Sequence, residues 1–378
     1  MASDVVIVGG GVIGLSIAYR LGREGVACTV LDRREVGREA SWAGAGLIPA
    51  NTERLRTSPT VELRSWSATL YPEWSAALRE ETGIDNGYRR TGGVDIALDA
   101  AEEQELKAMA GRWRAEGIVF ERLAPADFRR VEPALGPDLH AAYFLPDRAQ
   151  VRNPWHLRAL ALAALQRGAA LRPGQPALGF ETEGGRVTAI RTPDGRLPCG
   201  TLVIAAGAWS GGLLDSLGVL APTPPVKGQI VLLRADRPLL RRIVEHGSRY
   251  LVPRADGRVL VGATEEDAGF DTRATPRGVR DLLDEALRLC PSLGSAEVEK
   301  AWAGLRPGSM DTRPYLGLVP GQANVFVATG HKRSGIQLSP ATAEVITDLV
   351  LGRPPQVDLS GYRIDREPAG PEGEAFRS

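Results

Sequence analysis

Three glycines near the start of the chain have the spacing of a nucleotide-binding turn. A short apolar run ends just before Gly9, and Gly11 and Gly14 complete the pattern G-x-G-x-x-G. In such a turn the first glycine permits a tight bend, the second lets backbone N–H groups approach a pyrophosphate, and the third lets a helix pack on the strand. Val12 and Ile13 begin that helix, whose positive N-terminal end favours a bound phosphate. The pattern predicts an adenine dinucleotide site; the alternative is a turn that serves packing alone.

Asp32 follows a second apolar run, eighteen residues beyond Gly14, where the adenosine ribose of a dinucleotide would lie. Its carboxylate can accept hydrogen bonds from the ribose hydroxyls. Arg33 and Arg34 come next, and an arginine there could instead bind the 2′-phosphate of NADP. Two observations favour FAD. Residues 40–48 are nearly all small, which lets backbone approach a bulky flavin ring, and cofactor-type elements are spread over the whole chain, as one extended FAD molecule requires.

If the cofactor is FAD, residues in several further stretches of the chain are also expected to contact it. A flexible loop is the alternative for the small-residue run, although Trp42 within it argues against a purely solvated loop. The predicted cofactor residues beyond the glycine turn are Asp32, Arg33, Ser41, Ala43, Gly44, Ala45, Gly46, Leu47, Ala177, Ala206, Gly207, Trp209, Arg306, His331, Lys332, Arg333, Ser334, Gly335, Ile336 and Gln337.

The composition is that of an ordinary globular protein and excludes several classes of function. Lys plus Arg and Asp plus Glu number 46 each, so no charge bias indicates nucleic acid or an anionic membrane as a partner. The three cysteines, Cys28, Cys199 and Cys290, match no metal-ligand spacing, and no metal is expected. No apolar run approaches the ~20 residues of a membrane span. Because the first strand begins at residue 4, no signal peptide is expected, and we expect a soluble, cytoplasmic protein.

The order of elements along the chain indicates how these residues are positioned. Dinucleotide-type strands recur within 200–210 and 325–330, and the stretches between them, such as 226–264, are β-rich. This order predicts an α/β protein in which one α/β domain is interrupted by a sheet domain, with the active site between them.

Two later helices are expected to begin with a proline in the first helical position. Asn153 would cap the helix that starts at Pro154, and Ser339 would cap the helix that starts at Pro340. The N-terminal end of the second of these helices would then lie close to the reduced flavin, whose negative charge it could stabilise.

Several longer stretches carry a resemblance to a known family. VVIVGGGVIGLSIAYRL and TLVIAAGAWSGGLL are common to many flavoproteins, whereas YLVPRADGRVLVGAT, WAGLRPGSMDTRPYLG and VFVATGHKRSGIQLSPATAEVITDLV are more specific. SWAGAGLIPA and PVKGQIVLL also match. Over nearly all of residues 4–366 the chain resembles the D-amino-acid-oxidase-like FAD-dependent amine oxidases, and among them most closely the glycine oxidases of the thiamine pathway.

The resemblance implies a fold and a division into domains. The fold is a GR2-type, Rossmann-like FAD-binding domain interrupted by a substrate domain with a large, mostly antiparallel sheet. The FAD-binding domain would comprise residues 1–84, 147–224 and 305–364, and the substrate domain residues 85–146 and 225–304. Residues 365–378 are rich in Gly, Pro and Glu, and we expect a disordered tail.

The resemblance also assigns roles to four residues of a substrate pocket. Arg306 matches the arginine that pairs with the substrate carboxylate, and Tyr250 the tyrosine whose hydroxyl helps to hold it. Arg333 matches a second arginine beside the flavin, and Leu47 occupies a pocket position. A structural salt bridge is the alternative for Arg306, a core aromatic for Tyr250, and a solvent-facing or cofactor-only contact for Arg333. His331 is interpreted as a structural residue.

The implied activity is FAD-dependent oxidative deamination of glycine or another small amine, such as sarcosine or a small D-amino acid. The product would be the imine and then the oxo acid, with O₂ reduced to H₂O₂. In the related sarcosine oxidases a cysteine holds the flavin covalently. The corresponding stretch here, Gly304 to Leu318, has no cysteine, so the resemblance implies noncovalent FAD. The partners would be the substrate, O₂ and further copies of the chain in a homo-oligomer, a tetramer in this family. A D-amino-acid dehydrogenase with another acceptor and a flavoprotein without turnover remain alternatives.

Overall fold

The computed structural model describes residues 4–50 and 58–368. Within these residues the strands are β1 (Val5–Val8), β2 (Cys28–Leu31), β3 (Leu47–Ile48), β4 (Gly93–Ala97), β5 (Glu121–Arg122), β6 (Ala141–Leu145), β7 (Ala149–Gln150), β8 (Ala170–Arg172), β9 (Gly179–Glu183), β10 (Arg186–Thr192), β11 (Gly195–Pro198), β12 (Thr201–Ile204), β13 (Pro225–Arg234), β14 (Ile243–His246), β15 (Arg249–Pro253), β16 (Arg258–Gly262), β17 (Glu297–Pro307), β18 (Tyr315–Leu318) and β19 (Val325–Thr329). The helices are α1 (Val12–Arg23), α2 (Ala40–Ala43), α3 (Pro59–Thr82), α4 (Ala100–Ala115), α5 (Phe128–Val131), α6 (Asn153–Gln166), α7 (Ser210–Asp215), α8 (Pro276–Leu289) and α9 (Gly335–Val350).

The first sheet is the one that begins with the glycine turn. Its six strands lie in the order β18-β19-β12-β1-β2-β8, and all pairs are parallel except β18–β19. Side chains alternate between the two faces of a strand. Val5 and Ile7 therefore pack in the core formed by α1, α3, α6 and α9, while Val6 and Val8 pack on the opposite face, toward the small sheet β11-β10-β9. Because both faces are covered, β1 is apolar throughout.

The second sheet has eight strands in the order β17-β13-β16-β15-β14-β4-β6-β5. Its pairs are antiparallel except β14–β4. One face is covered by α8, whose Leu282, Ala286 and Leu289 pack against Val231 and Val261. The opposite face carries the polar residues described below. The predicted fold class is thus confirmed, while the division into domains stays a prediction.

The structure corrects the predicted start of the last long helix. α9 begins at Gly335, not at Pro340, and Ser339 does not cap it. Pro340 has no N–H to donate to the Ile336 carbonyl one turn earlier. The Ser339 hydroxyl donates to that carbonyl at 3.0 Å, and the Tyr71 hydroxyl from α3 also donates to it. Because these hydroxyls satisfy the free acceptor, the helix runs through the proline.

The predicted cap of α6 is also wrong. Asn153 is the first helical residue, and Arg152 stands in the cap position with no side-chain hydrogen bond. The Asn153 amide instead donates to the Ser41 carbonyl at 2.6 Å. The Asn153 side chain therefore stabilises the small-residue run instead of capping α6.

No helix of the described ranges 4–50 and 58–368 is both long and apolar enough to cross a membrane. Of the predicted disordered tail, residues 369–378 lie outside the described residues, and residues 365–368 lie within them.

Candidate active site

In the glycine turn after β1, each glycine has a different steric environment. Gly9 has φ of +111°, and a side chain there would overlap the Ala205 carbonyl at the end of β12. A side chain at Gly14 would overlap the Gly9 carbonyl. At Gly11 a Cβ would meet only the Ser41 hydroxyl, at 3.2 Å. Gly9 and Gly14 are therefore required by packing, whereas Gly11 borders open space, as a phosphate-binding position needs.

The N-terminal end of α1 has no cap from its own residues. Gly11 stands in the cap position, and the Val12 N–H donates to the Ser41 hydroxyl at 2.9 Å. Ser41 belongs to α2, so the small-residue run lies directly beside the glycine turn. A pyrophosphate at this helix end would meet backbone N–H groups, the positive end of the helix dipole and one serine hydroxyl.

A cavity of about 420 Å³ extends from this turn toward the second sheet. It brings together most of the predicted cofactor residues from distant parts of the chain. They are Gly9, Gly11, Val12, Ile13, Asp32, Arg33, Ser41, Gly44, Ala177, Ala206, Gly207, Trp209, Arg306, His331, Lys332, Arg333, Gly335 and Ile336. A cavity of this size, lined by residues from the glycine turn to the start of α9, fits an extended dinucleotide.

Asp32 lies at the glycine-turn end of this cavity and is held by two backbone groups. The Gly10 N–H donates to one carboxylate oxygen at 2.9 Å, and the Arg34 N–H donates to the other at 2.8 Å. Burial raises the pKa of Asp32, and the two backbone donors oppose that shift. Each oxygen keeps a second lone pair, so the carboxylate can still accept from ribose hydroxyls.

We expect Asp32→Ala to weaken FAD binding by about one to two decades in Kd. The reason is that charge-assisted hydrogen bonds to ribose contribute ~1.5–3 kcal/mol. Fluorescence titration of the apoprotein with FAD measures the effect, and Asp4→Ala, outside the lining, serves as the control. An unchanged Kd in Asp32→Ala would show that the ribose is held elsewhere.

Arg33 is already engaged within the protein. Its guanidinium lies 3.5 Å from the centre of the Trp209 ring and donates to the Glu39 carboxylate at 2.7 Å. Trp209 in turn packs on Phe270, with 5.3 Å between ring centres. An arginine paired with glutamate is poorly suited to a 2′-phosphate, so the geometry favours FAD over NADP.

The small-residue run is fixed to the second sheet by a buried arginine. Arg254 donates to the Ala45 carbonyl at 2.6 Å and to the Val151 carbonyl at 3.0 Å. Burial lowers the pKa of Arg254 to about 10. Gly46 has φ of +75°, and a side chain there would overlap the Val151 carbonyl. The run is therefore an ordered part of the site rather than a flexible loop.

A second, smaller cavity of about 90 Å³ adjoins the first. The two share Ala40, Gly44, Arg306, Arg333 and Ile336 in their linings. The predicted residues in the smaller cavity are Ala43, Gly44, Ala45, Gly46, Leu47, Tyr250, Arg306, Arg333, Ser334, Ile336 and Gln337. All four predicted substrate-pocket residues thus meet at one place.

Arg306 lies near the end of β17 with its guanidinium over β13. It donates to the Thr264 carbonyl at 3.1 Å and lies close to the Tyr250 side chain. Burial lowers the pKa of Arg306, although an arginine guanidinium is not deprotonated in proteins. A Cβ at Gly228 would lie 2.6 Å from the Arg306 Cζ, so this glycine leaves room for the guanidinium. No carboxylate of the described residues forms an ion pair with Arg306 within 4.0 Å, which disfavours the structural salt bridge.

Tyr250 is buried on β15 with its ring over β16. A Cβ at Gly262 would lie 2.6 Å from the Tyr250 hydroxyl, so a second glycine makes room for a site side chain. Burial raises the pKa of Tyr250, and Arg306 and Arg333 oppose the shift. The phenol is therefore a neutral donor at physiological pH.

Arg333 comes from the turn before α9. It donates to the Ser248 carbonyl at 3.0 Å, and its nearest approach to Glu265 is 4.0 Å. Lys332, with φ of +44°, forms the closer ion pair with Glu265 at 3.0 Å. Glu265 therefore neutralises Lys332 more than Arg333.

His331 is buried and donates to or accepts from the Thr342 hydroxyl at 3.1 Å. Burial lowers the pKa of His331 to about 3, so the ring is neutral. Its contact with α9 agrees with a structural role for this histidine.

Sequence reasoning did not select several residues of the two linings. The unselected residues include Glu39, Ala40, Gln175, Pro176, Ala205, Ala208, Leu305, Pro307 and Thr329 in the first cavity and Pro49, Gly228, Ile230 and Gly304 in the second. Gly228 and Gly304 lie in the quoted stretches PVKGQIVLL and WAGLRPGSMDTRPYLG, and glycines inside strands mark a close approach of another group. That signal could have identified them.

Known proteins of similar sequence and structure agree with this geometry. The glycine oxidase of Pseudomonas putida is 40% identical over 96% of this chain and 98% of its own. The solved structure of glycine oxidase from Geobacillus kaustophilus superposes with a TM-score of 0.93 at 35% identity, covering 97% of this chain and 99% of that one. Iminodiacetate oxidase from Chelativorans sp. BNC1 superposes with a TM-score of 0.85 at 31% identity, covering 98% and 100%.

The family model described as FAD dependent oxidoreductase matches residues 4–349, which include both cavities and all the predicted site residues. The resemblance and the FAD prediction are therefore confirmed, and the NADP alternative is wrong. The chain belongs to the FAD dependent oxidoreductase family, and it is an oxidase whose cofactor is FAD.

Proposed function

We propose that this protein is an FAD-dependent oxidase of glycine and similarly small amines, which it converts to the imine and then the oxo acid while O₂ becomes H₂O₂. The observation that carries the proposal is the small cavity with Arg306 and Tyr250 in its lining, next to the large cavity that fits FAD. The glycine oxidases among its relatives support the same choice of substrate.

Each pocket residue has a separate task in this reaction. Arg306 binds the substrate carboxylate, because a planar guanidinium offers two parallel hydrogen bonds that set its direction. Tyr250 donates a further hydrogen bond to the same group. With the carboxylate fixed, the Cα–H bond is oriented toward the larger cavity. Holding two reactants in such a geometry contributes much of the rate enhancement of a bimolecular step. Bound FAD supplies the chemistry by accepting the hydride from Cα.

The shape of the smaller cavity limits the substrate. Its volume is about 90 Å³, and Leu47, Ile230 and Ile336 supply apolar walls. Such a space suits glycine, sarcosine and small D-amino acids better than long side chains.

A second candidate substrate is a small amine with two carboxylates. Arg333 adds a second guanidinium to the lining, and one relative is an iminodiacetate oxidase. A second carboxylate could pair with Arg333, whose closest described carboxylate is 4.0 Å away. Iminodiacetate therefore belongs in the same substrate series as glycine.

The test follows the flavin spectrum of the purified holoprotein. We expect a yellow protein that releases FAD on heat denaturation, and that loses its visible flavin absorbance when glycine is added without oxygen. Admission of air should restore the absorbance with formation of H₂O₂. Sarcosine, D-alanine and iminodiacetate form the comparison series. No bleaching by any of them would contradict the proposal, and bleaching that air does not reverse would favour a dehydrogenase with another acceptor.

We also propose a homo-oligomer, a tetramer, in the cytoplasm, on the resemblance to the glycine oxidases. Light scattering of the holoprotein measures the oligomeric state directly. A monomer at micromolar concentration would overturn it without affecting the proposed reaction.

A further inference from the structure

A continuous row of side chains crosses the second sheet on the face that carries the substrate pocket. Cross-strand partners share a face of the sheet. The pairing register therefore places six residues in one line, which runs Asp95, Glu245, Tyr250, Gly262, Ile230 and Trp302. Glu245 is the direct neighbour of Tyr250, and so a buried carboxyl lies beside the carboxylate-binding residues.

Glu245 shares one cation with a second buried carboxylate. Arg148, Asp95 and Glu245 are exposed by only 2%, 5% and 5%. The side chain of Arg148 lies against Gly93, where a Cβ would be 3.0 Å from its Nη1. Both terminal nitrogens of Arg148 donate to Asp95. Its Nη1 is 3.2 Å from Glu245 Oε1, yet that oxygen makes no hydrogen bond.

Arg148 therefore faces two carboxylates, but only Asp95 accepts its hydrogen bonds. An under-compensated carboxylate in a buried place is costly, and it holds a proton instead. Burial accordingly raises the pKa of Glu245 to about 8, while Arg148 opposes the shift and Asp95 adds to it.

The remaining charge that acts on Glu245 comes from the pocket itself. The titratable and charged groups that face it are Asp95 on β4, Arg148 in the turn before β7, Tyr250 on β15 and Arg333 before α9. Of these, Arg333 also lines the substrate cavity. Arg333 favours the ionised form of Glu245, so any anion that neutralises Arg333 must favour the protonated form.

We propose that Glu245 sets the charge of the substrate pocket, and that binding of a carboxylate ligand draws a proton from the solvent onto its carboxyl group. The inference rests on the proposed function, because it takes the ligand to be a carboxylate beside Arg306 and Arg333. The balance is simple: one O–H bond forms on Glu245, and the buffer loses one proton. Glu245 thereby makes the pocket accept anions better at neutral than at alkaline pH.

The experiment measures proton uptake directly. Acetate, which is fully ionised throughout, is titrated into the holoprotein by calorimetry between pH 7 and 9, in two buffers of different ionisation enthalpy. We expect uptake of a fraction of one proton, largest at the pH midway between the pKa of Glu245 in the free protein and its higher pKa in the liganded protein. The acetate Kd should rise with pH, approaching tenfold per pH unit where uptake approaches one proton.

Two variants separate Glu245 from the other carboxylates. Glu245→Gln should abolish the uptake and leave the acetate Kd flat over the same range; it keeps the Arg148–Asp95 pair, so we expect it to fold. Glu265→Gln, at the exposed carboxylate beside Lys332, is the matched control and should take up protons as the wild type does. Glu245→Asp should retain uptake with a displaced pH maximum.

The wild-type measurement alone can overturn the inference. Acetate binding without proton uptake would do so, as would equal uptake in Glu245→Gln. Because acetate is not oxidised, the result does not depend on turnover. Glycine oxidation together with acetate binding that takes up no proton would remove this inference and keep the proposed function, whereas absence of both carboxylate binding and oxidation would remove both.

Discussion

Arg306→Ala should lower kcat/KM for glycine by at least ~10², while FAD content and Tm stay close to those of the wild type. Truncating one partner of a desolvated charge pair typically costs about 2–5 kcal/mol. Arg306 has no ion-pair partner among the described residues, and its guanidinium donates to the Thr264 carbonyl, so its removal should leave the fold intact. Steady-state kinetics, flavin absorbance and thermal unfolding measure the three quantities.

Two controls separate binding of the carboxylate from a structural role. Arg306→Lys should retain only part of the wild-type activity, because an ammonium group keeps the charge but cannot bind a carboxylate in the bidentate geometry of a guanidinium. Oxidation of a primary amine without a carboxylate should respond much less to either change. Equal losses for both kinds of substrate, or loss of the fold, would show that Arg306 is structural and would make Arg333 the next residue to test.

Gly228→Ala should lower kcat/KM for glycine by about 10² without unfolding the protein, because misplacing a binding group by about 1 Å can have an effect of that size. The new methyl group would lie 2.6 Å from the Arg306 Cζ. The atoms it meets belong to the far end of a flexible side chain, so the guanidinium moves away and the backbone stays. Kinetics and acetate binding to the holoprotein measure the loss of carboxylate recognition.

Gly111→Ala is the matched control for this substitution. Gly111 lies in α4 with no other atom within 4 Å of the added Cβ, and alanine favours a helix over glycine by about 1 kcal/mol. We expect unchanged kinetics and equal or higher Tm. Full activity in Gly228→Ala would mean that the carboxylate is bound without the guanidinium in its observed position.

The local parts of the site could be predicted from the sequence alone. The glycine turn and Asp32 lie within one strand–helix–strand unit, so their spacing carries the geometry. Tyr250 and Arg306 are different. They lie on β15 and β17, and β16 and β13 separate these strands in the sheet, so no spacing in the sequence shows that the two side chains meet. Only the resemblance brought them together.

Other features could not be predicted because distant residues decide them. Pro340 was expected to begin a helix, but a hydroxyl from α3 satisfies the carbonyl that the proline leaves free. The pairing of Asp95 with Glu245 depends on the parallel contact β14–β4 between segments about 150 residues apart. Patterns of apolar residues indicate where a strand lies, but they do not indicate which other strand pairs with it.

The strand order of the first sheet has a consequence for synthesis of the chain. β1 lies in the middle of the sheet, beside β12, and β12 pairs with β19, which ends at Thr329. Long-range pairings of this kind form late. On the ribosome, the glycine turn therefore emerges first, β12 follows about 190 residues later, and β19 is complete only some 320 residues after the turn. Because the lining of the large cavity includes residues as late as Ile336, we expect only a nearly finished chain to bind the cofactor.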